Sequence, residues 1–234
     1  MPDHPAAAAF RRILDWLREH APAAVAELGP PATDEQLAEL ERAINTPAVK
    51  GLTAEMIVDD GDPPGDPDPA GRSFGRPVPD DLAAVLRVCD GAGFHAVLPV
   101  SGGMYGEAVL TFASVAEILA DYRTQRDLTA IGEFADCEPE DTAPGVRETW
   151  WDEGWLPFGG DGGGNLLCLD YHPAPGGTPG QVLTHDHETG EHALEASSLT
   201  AFLEAGAAAL EAGRFVWDED EGQLMPREDE EPRP

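Results

Sequence analysis

The chain has 234 residues, 45 of them acidic and 14 basic, which gives a formal net charge of −31 and a pI near 4.2. Such a field repels nucleic acid and anionic membranes and speeds encounter with basic partners, although solubility or adaptation to salt would explain it without any partner. The odd number of widely spaced cysteines, the missing leader pattern and the lack of a long apolar run lead us to expect a cytoplasmic protein without disulfides or membrane spans.

Two helices are predicted in the first 45 residues. Residues 6–19 carry an apolar stripe at helical spacing. Its members are Phe10, Ile13, Leu14 and Leu17. The second helix opens at Thr33 with a capping box, in which the hydroxyl of Thr33 accepts from the backbone N–H of Gln36 while the Gln36 side chain reaches back.

Residues 45–77 break this helical pattern. Aspartate, proline and glycine dominate the segment, including Asp59 and Asp60, and such a composition does not build a core. We therefore predict a long acidic loop insertion here, mobile around 59–76, with the apolar piece 52–58 packing as a strand or a helical turn.

The chain then alternates between helices and strands. Pro79-Asp80-Asp81 opens a helix, because proline suits the first turn and carboxylates favour a helix N-terminus. Residues 94–100 and 108–112 are predicted strands, and Ser114 begins a second capping box with Glu117. Residues 133–149 are acidic, contain two prolines and are predicted to be a loop.

Residues 155–170, WLPFGGDGGGNLLCLD, are predicted to form a β-hairpin around which the rest of the chain is arranged. Two apolar runs flank a turn that is dense in glycine, where the backbone can take positive φ or approach another segment closely. The turn lacks the lysine of a P-loop and the spacing of an EF-hand, so a structural turn held by Asp161 and Asn165 is the favoured interpretation.

Two further strands, 181–185 and 192–196, precede a helix capped by Ser198. Residues 214–234 are rich in acidic residues and are predicted to be a solvated tail. No βαβ alternation occurs, which favours an α+β fold with a mainly antiparallel sheet flanked by helices. We predict one domain over 1–213, with 45–77 largely a loop insertion, followed by the acidic tail.

The order of these motifs resembles the SMI1/KNR4 family, also called the SUKH superfamily. The similarity covers roughly 30–45 and 77–212 and is most specific at Trp155–Asp170. It rests on Pro31–Gln36, Val78–Leu82 with Asp90-Gly91, Ser114–Tyr122, Trp155–Asp170, Gly180–Val182 and Ser198–Leu203. The resemblance implies a SUKH-like α+β domain that binds proteins. Bacterial members are immunity proteins against polymorphic toxins, and a fungal relative is associated with cell-wall synthesis.

Sites for chemistry are few. His185-Asp186-His187, with His172 and His192 nearby in sequence, is the most metal-like cluster, and 185 and 187 would share one side of a strand. A polar strand end and turn explains the same residues, and we assign no metal ligand here. Leucines surround Cys168, which favours an inert core thiol. We find no catalytic residues, expect no cofactor and predict that the protein is not an enzyme.

Three tryptophans, at 150, 151 and 155, lie within six residues. Trp155 starts a strand and is assigned to the core, whereas Trp150 and Trp151 suit either a core cluster or a binding hot spot.

We predict a non-enzymatic protein-binding domain, and specifically a bacterial immunity protein that neutralises a basic toxin of the nuclease or deaminase type. The hypothesised contacts are Trp150, Trp151, Gly160, Asp161, Asn165, Asp59, Asp60, Asp136 and Glu138. The alternative is a cytoplasmic regulator or scaffold of cell-wall or envelope processes. A third reading is a metalloenzyme that uses His172, His185, Asp186 and His187. Nucleic acid and membranes are not expected partners, and the oligomeric state is left open.

Overall fold

The structure, a computed structural model, describes residues 4–57, 65–102 and 106–227. The helices in these ranges are α1 (Pro5–His20), α2 (Pro22–Ala26), α3 (Asp34–Ile44), α4 (Ala54–Ile57), α5 (Asp80–Leu86), α6 (Val115–Ile131) and α7 (Leu199–Glu211). The strands are β1 (Ala96–Gly102), β2 (Gly106–Phe112), β3 (Trp155–Gly160), β4 (Leu166–Asp170), β5 (Gln181–His185), β6 (His192–Ala196), β7 (Phe215–Asp218) and β8 (Gln223–Pro226). No helix among the described residues has the length and apolar character needed to cross a bilayer.

The strands β1 to β6 form one antiparallel sheet in the order of the sequence, and β7 and β8 form a separate hairpin. The sheet is curled, so that β1 also approaches β6. Against it pack helices that contact one another as the pairs α1–α7, α1–α5 and α3–α6. The predicted α+β class and its mainly antiparallel sheet are confirmed.

The hairpin β3–β4 is the buried centre of the sheet, as predicted. Both strands are buried along their whole length, and Trp155 pairs with Asp170 at the open end. A register shift lies between Pro157 and Gly159, which suits a proline within a strand. A Cβ on Gly159 would lie 2.3 Å from the carbonyl oxygen of Thr111, so glycine is what lets β2 pair with β3 here.

The helices begin where the sequence predicts. Thr33 and Ser114 form the expected capping boxes with Gln36 and Glu117, and Ser198 caps α7 through the N–H of Ala201. The predicted apolar stripe of α1 is buried along its whole length. These starts are local in origin, because a short polar side chain satisfies N–H groups that the first turn leaves unpaired.

Asp90 joins α3 to the start of α6. Gln36 Nε2 donates to one carboxylate oxygen at 2.8 Å, and the backbone N–H of Val115 donates to the other at 2.6 Å. A carboxylate at this position satisfies an orphan N–H and opposes the positive end of the helix dipole. Asp90 therefore links α3 to the first turn of α6.

We expect Asp90→Ala to lower the free energy of unfolding by about 1–3 kcal/mol, because it leaves the N–H groups of Gln36 and Val115 without their charged acceptor. Urea unfolding followed by tryptophan fluorescence measures this change. Asp15→Ala is the matched control, since Asp15 makes only an exposed ion pair with Arg18 within α1. Equal losses in the two variants would contradict the role assigned to Asp90.

Two segments differ from the sequence-based expectation. α4 is the helical turn that is one of the two alternatives expected for 52–58, but Val49 pairs with Pro67, and Phe74, in the part expected to be mobile, is buried edge-on against Tyr122 and Tyr171. The proline-rich composition of 45–77 predicts a loop, and the burial of its one aromatic residue, Phe74, does not follow from that composition. Residues 215–226, assigned to the solvated tail, form β7–β8 and bury Phe215 and Leu224 in the main core. Two short apolar runs, Phe215–Trp217 and Leu224-Met225, flank the acidic residues there, and such runs outweigh the acidic composition.

Candidate functional site

The tryptophans at 150, 151 and 155 occupy different environments. Trp155 is fully buried and Trp151 is 4% exposed, with their rings T-shaped at 5.5 Å between centroids. Trp150 is only half-buried and stacks on Phe134, at 6.1 Å and an interplanar angle of 28°. The assignment of Trp155 to the core is confirmed. Of the two alternatives left open for Trp150 and Trp151, core or surface, Trp151 belongs to the core and Trp150 reaches the surface.

Trp150 and Phe134 form the aromatic wall of an open cleft of about 510 Å³. The rest of the lining comes from Thr129, Gly132, Ala135, Cys137, Glu138, Pro139, Glu148, Thr149 and Trp151. Glu138, one of the hypothesised contacts, thus lies beside Trp150, and Asp136 is exposed just outside the wall. Phe134 was missed, although it is the one aromatic residue within the predicted acidic loop 133–149.

The loop 133–149 is fastened to the β5–β6 hairpin, which holds the cleft in place. His192 donates its N–H to the carbonyl of Asp141, and its own carbonyl accepts from Ala143 at 2.9 Å. A Cβ on Gly190 would lie 2.6 Å from Cε3 of Trp150, at a φ of +68°. The glycine therefore lets the Trp150 ring rest directly on the β5–β6 turn.

The turn between β3 and β4 lies against the same hairpin. Asp161 accepts from the N–H groups of Gly163 and Asn165 at 2.7 and 3.1 Å, as expected for a structural turn. Asn165 Oδ1 accepts from the N–H of His187 at 3.0 Å, which ties this turn to the β5–β6 turn. Gly160 is buried at the end of β3 and serves the turn rather than the surface.

The cleft and the β3–β4 turn both adjoin the β5–β6 turn, and we call the residues around them the acidic–aromatic face. It consists of Phe134, Glu138, Glu148, Trp150, Asp161, Asn165, His187 and Glu188. Of the hypothesised contacts, Trp150 and Glu138 line the cleft, whereas Asp161 and Asn165 hold the β3–β4 turn. Asp59 and Asp60 lie outside the described residues.

Beneath Trp150 and Trp151 lies a buried pair of histidines. His185 and His192 are directly opposite in the β5–β6 register, with Nδ1 of His185 3.1 Å from Nε2 of His192 and the rings stacked at 5.2 Å. Burial, reinforced by His192, lowers the pKa of His185 to about 3, and burial lowers the pKa of His192 to about 4. The pair is therefore neutral, one ring donating and the other accepting.

The predicted metal-like cluster is dispersed. His185 is buried, whereas His187 is exposed beyond the end of β5, so the expectation that they share one side of a strand is wrong. His172 bonds Asp152 at 2.8 Å, and Asp186 accepts from the N–H groups of its own turn. Within the ranges that the structure describes, no three histidine, cysteine, aspartate or glutamate side chains are placed to hold a metal ion.

Cys168 is fully buried in β4, and this burial, with Asp121 and Asp170 adding to it, raises its pKa well above the ordinary value. A neutral thiol among apolar side chains is a poor nucleophile. The geometry therefore agrees with a packing role for Cys168.

Comparison with known proteins identifies the family of this chain. The model of the SMI1 / KNR4 family (SUKH-1) matches residues 66–205, more than half of the chain and all of the acidic–aromatic face. The glucan synthesis regulatory protein of Neurospora crassa is 25% identical over 222 residues, which are 95% of this chain and 41% of that relative. The cell wall biosynthesis/cell cycle regulator smi1 of Schizosaccharomyces pombe is 34% identical over 71 residues, which are 30% of this chain and 14% of that relative. This chain belongs to the SMI1 / KNR4 family (SUKH-1).

Proposed function

We propose that this chain is a non-enzymatic regulatory module of cell-wall synthesis that acts in the cytoplasm by binding partner proteins through its acidic–aromatic face. The observation that carries the proposal is the similarity along 95% of the chain to a protein named as a glucan synthesis regulator. The chain spans about two-fifths of that relative's length, so the relative's activity is carried over only as part of this proposal.

The face has the composition of a docking site. Trp150 and Phe134 offer a rigid apolar wall, and Glu138 and Glu148 stand on the rim of the same cleft. Aromatic anchors in a cleft provide most of the affinity of an interface, while rim charges set the association rate and the choice of partner. A partner that inserts an apolar side chain between basic residues would complement this arrangement.

We expect Trp150→Ala to weaken the complex with a captured partner at least about thirtyfold, the loss typical of a hot-spot tryptophan. The protein stays folded, because Trp150 is only half-buried. Calorimetric titration of purified protein with the captured partner measures the affinity.

Trp16→Ala is the matched control, since Trp16 is a partly buried tryptophan on α1 that stacks on His20 and takes no part in the face. It should leave the affinity unchanged. Glu138→Gln should slow association and reduce its salt dependence while leaving dissociation nearly constant. Wild-type affinity in Trp150→Ala would overturn the assignment of the face.

A second function is favoured by the net charge of −31: an immunity protein that covers the basic active site of a toxin. Affinity capture from the native host, at low and at high salt and read by mass spectrometry, separates the two. Components of wall synthesis as partners support the regulator. One stoichiometric basic nuclease or deaminase, released by salt, supports the immunity protein.

A further inference from the structure

Basic side chains are scarce in this chain, yet three of the 14 line one small pocket. These are Arg42 in the last turn of α3 and Arg123 and Arg126 on α6. The pocket holds about 290 Å³ and lies on the side of α6 where α3 packs. Glu39, one turn before Arg42, is its acidic wall residue. The pocket thus runs against the charge of the chain as a whole.

The geometry of the two helices explains why these arginines converge. Arg123 and Arg126 are three residues apart on α6 and therefore share one face of the helix. Arg42 comes from the C-terminal turn of α3, where a basic residue also complements the helix dipole. Because α3 packs against α6, arginines from two elements line the same pocket.

Arg126 is built into the pocket rather than spread over the surface. Its side chain is 6% exposed, Nε donates to Asp127 Oδ1 at 2.7 Å, and Nη1 donates to the carbonyl of Thr46 at 2.9 Å. A guanidinium has five N–H groups, so these two bonds fix its plane and use only part of its donor capacity. A buried ion pair seldom repays its desolvation in stability, which makes a binding role the better account of Arg126.

We propose that the Arg42–Arg123–Arg126 pocket binds a phosphate group. Planar guanidinium forks match the oxygens of phosphate, and three of them in one pocket suit a dianion with several terminal oxygens better than a single carboxylate. The volume lies just below the range of about 300–1,000 Å³ found for drug-sized ligands. The pocket therefore accepts a phosphoryl group and the few atoms that carry it, from a phosphorylated side chain or from free phosphate.

Glu39 sets the affinity of this site. Its exposed carboxylate faces the same small volume as the arginines and repels a dianion. Glu39→Gln should therefore tighten binding several-fold, whereas loss of an arginine should weaken it. Opposite responses from neighbouring wall residues are specific to an anion site.

The test is a titration of the full chain with inorganic phosphate, with a short phosphoserine peptide and with the same peptide unphosphorylated. We expect the two phosphate-bearing probes to bind, and Arg42→Gln or Arg123→Gln to weaken binding about ten- to a hundredfold, the loss of a charge-assisted bond. Arg18→Gln, on the exposed side of α1, makes the same charge change elsewhere and should leave binding unchanged.

The probes also identify the source of the phosphate. Tighter binding of the phosphopeptide than of inorganic phosphate supports a phosphorylated protein, and equal binding supports a small free anion. Equal binding of both peptides, no binding of either phosphate-bearing probe, or wild-type affinity in folded Arg42→Gln overturns the proposal. Thermal unfolding of each variant shows that the change lies in the pocket.

Discussion

Trp155→Ala is expected to lower the free energy of unfolding by about 3–5 kcal/mol, the usual cost of removing a large aromatic side chain from a core. Trp155 is fully buried, and the centre of its ring lies 5.5 Å from that of Trp151 and 4.7 Å from that of His192. The smaller side chain leaves a cavity that the rings of Trp151 and His192 cannot fully fill by moving inward.

The same substitution should also disable the cleft. Trp151 and His192 pack against Trp155, and the backbone of His192 holds the loop 133–149 that carries Phe134 and Glu138. Loosening this cluster loosens the cleft wall. Binding should therefore fall together with stability in Trp155→Ala.

Urea unfolding measures the loss of stability, and hydrogen exchange of the loop 133–149 measures the loosening of the cleft wall. Trp155→Phe is the conservative control and should lose much less stability, since a ring still fills most of the site. Trp150→Ala should show the opposite profile, with small loss of stability and large loss of binding. A Trp155→Ala variant as stable as wild type would show that the cluster of Trp151, Trp155, Cys168 and Leu183 does not contribute to folding.

Local signals determine most of what the sequence predicts correctly. The capping boxes at Thr33 and Ser114 and the hairpin at 155–170 each depend on residues a few positions apart, so each is readable without knowing the fold. The turn held by Asp161 is equally local.

Features that depend on distant packing could not be predicted in this way. Trp150 and Trp151 are adjacent in sequence, yet Trp151 packs on Trp155 in the core while Trp150 lies over Gly190 of the β5–β6 turn. Phe74 is buried because two tyrosines from α6 and the segment after β4 meet over it, and neither is near it in sequence.

The histidine pair lies between these cases. The two predicted strands 181–185 and 192–196, joined by a short turn, place His185 opposite His192 once they pair. The third alternative, a metal site at these histidines, does not take account of this register. What the sequence does not show directly is that the tryptophans pack over the pair, and this burial keeps both rings neutral instead of charged.

Acidification should destabilise the protein through this pair. The folded pKa values of His185 and His192, about 3 and about 4, lie below the ordinary value of 6.5 that the unfolded chain restores. Below pH 6.5 these histidines are therefore protonated in the unfolded state but remain neutral in the folded state until the pH approaches the folded pKa values. The stability is complete above pH 6.5 and is lost as the pH falls toward the folded values, by roughly 2 kcal/mol per histidine on reaching pH 5.

Buried carboxyl groups act in the opposite direction. Burial, with a smaller contribution from Glu117, raises the pKa of Asp121 to about 6, and burial also raises the pKa values of Asp170 and Glu195. These carboxyl groups bind a proton more tightly in the folded state, so their contribution stabilises the folded protein as the pH falls. The net curve is consequently shallower than the histidines alone would give, and only a comparison of variants isolates their share.

His185→Leu provides that comparison. It removes one titrating ring from a site with no exposure, so its free energy of unfolding should fall less than that of wild type between about pH 7 and pH 5, by roughly 2 kcal/mol. Leu183→Ala, in the same buried cluster, is the matched control and should cost the same at every pH. The ring-proton NMR shifts of His185 and His192 in wild type should stay constant down to about pH 5. Titration of either ring near its ordinary pKa would mean that water reaches the pair, and Trp150 and Trp151 would then not cover the histidines in solution.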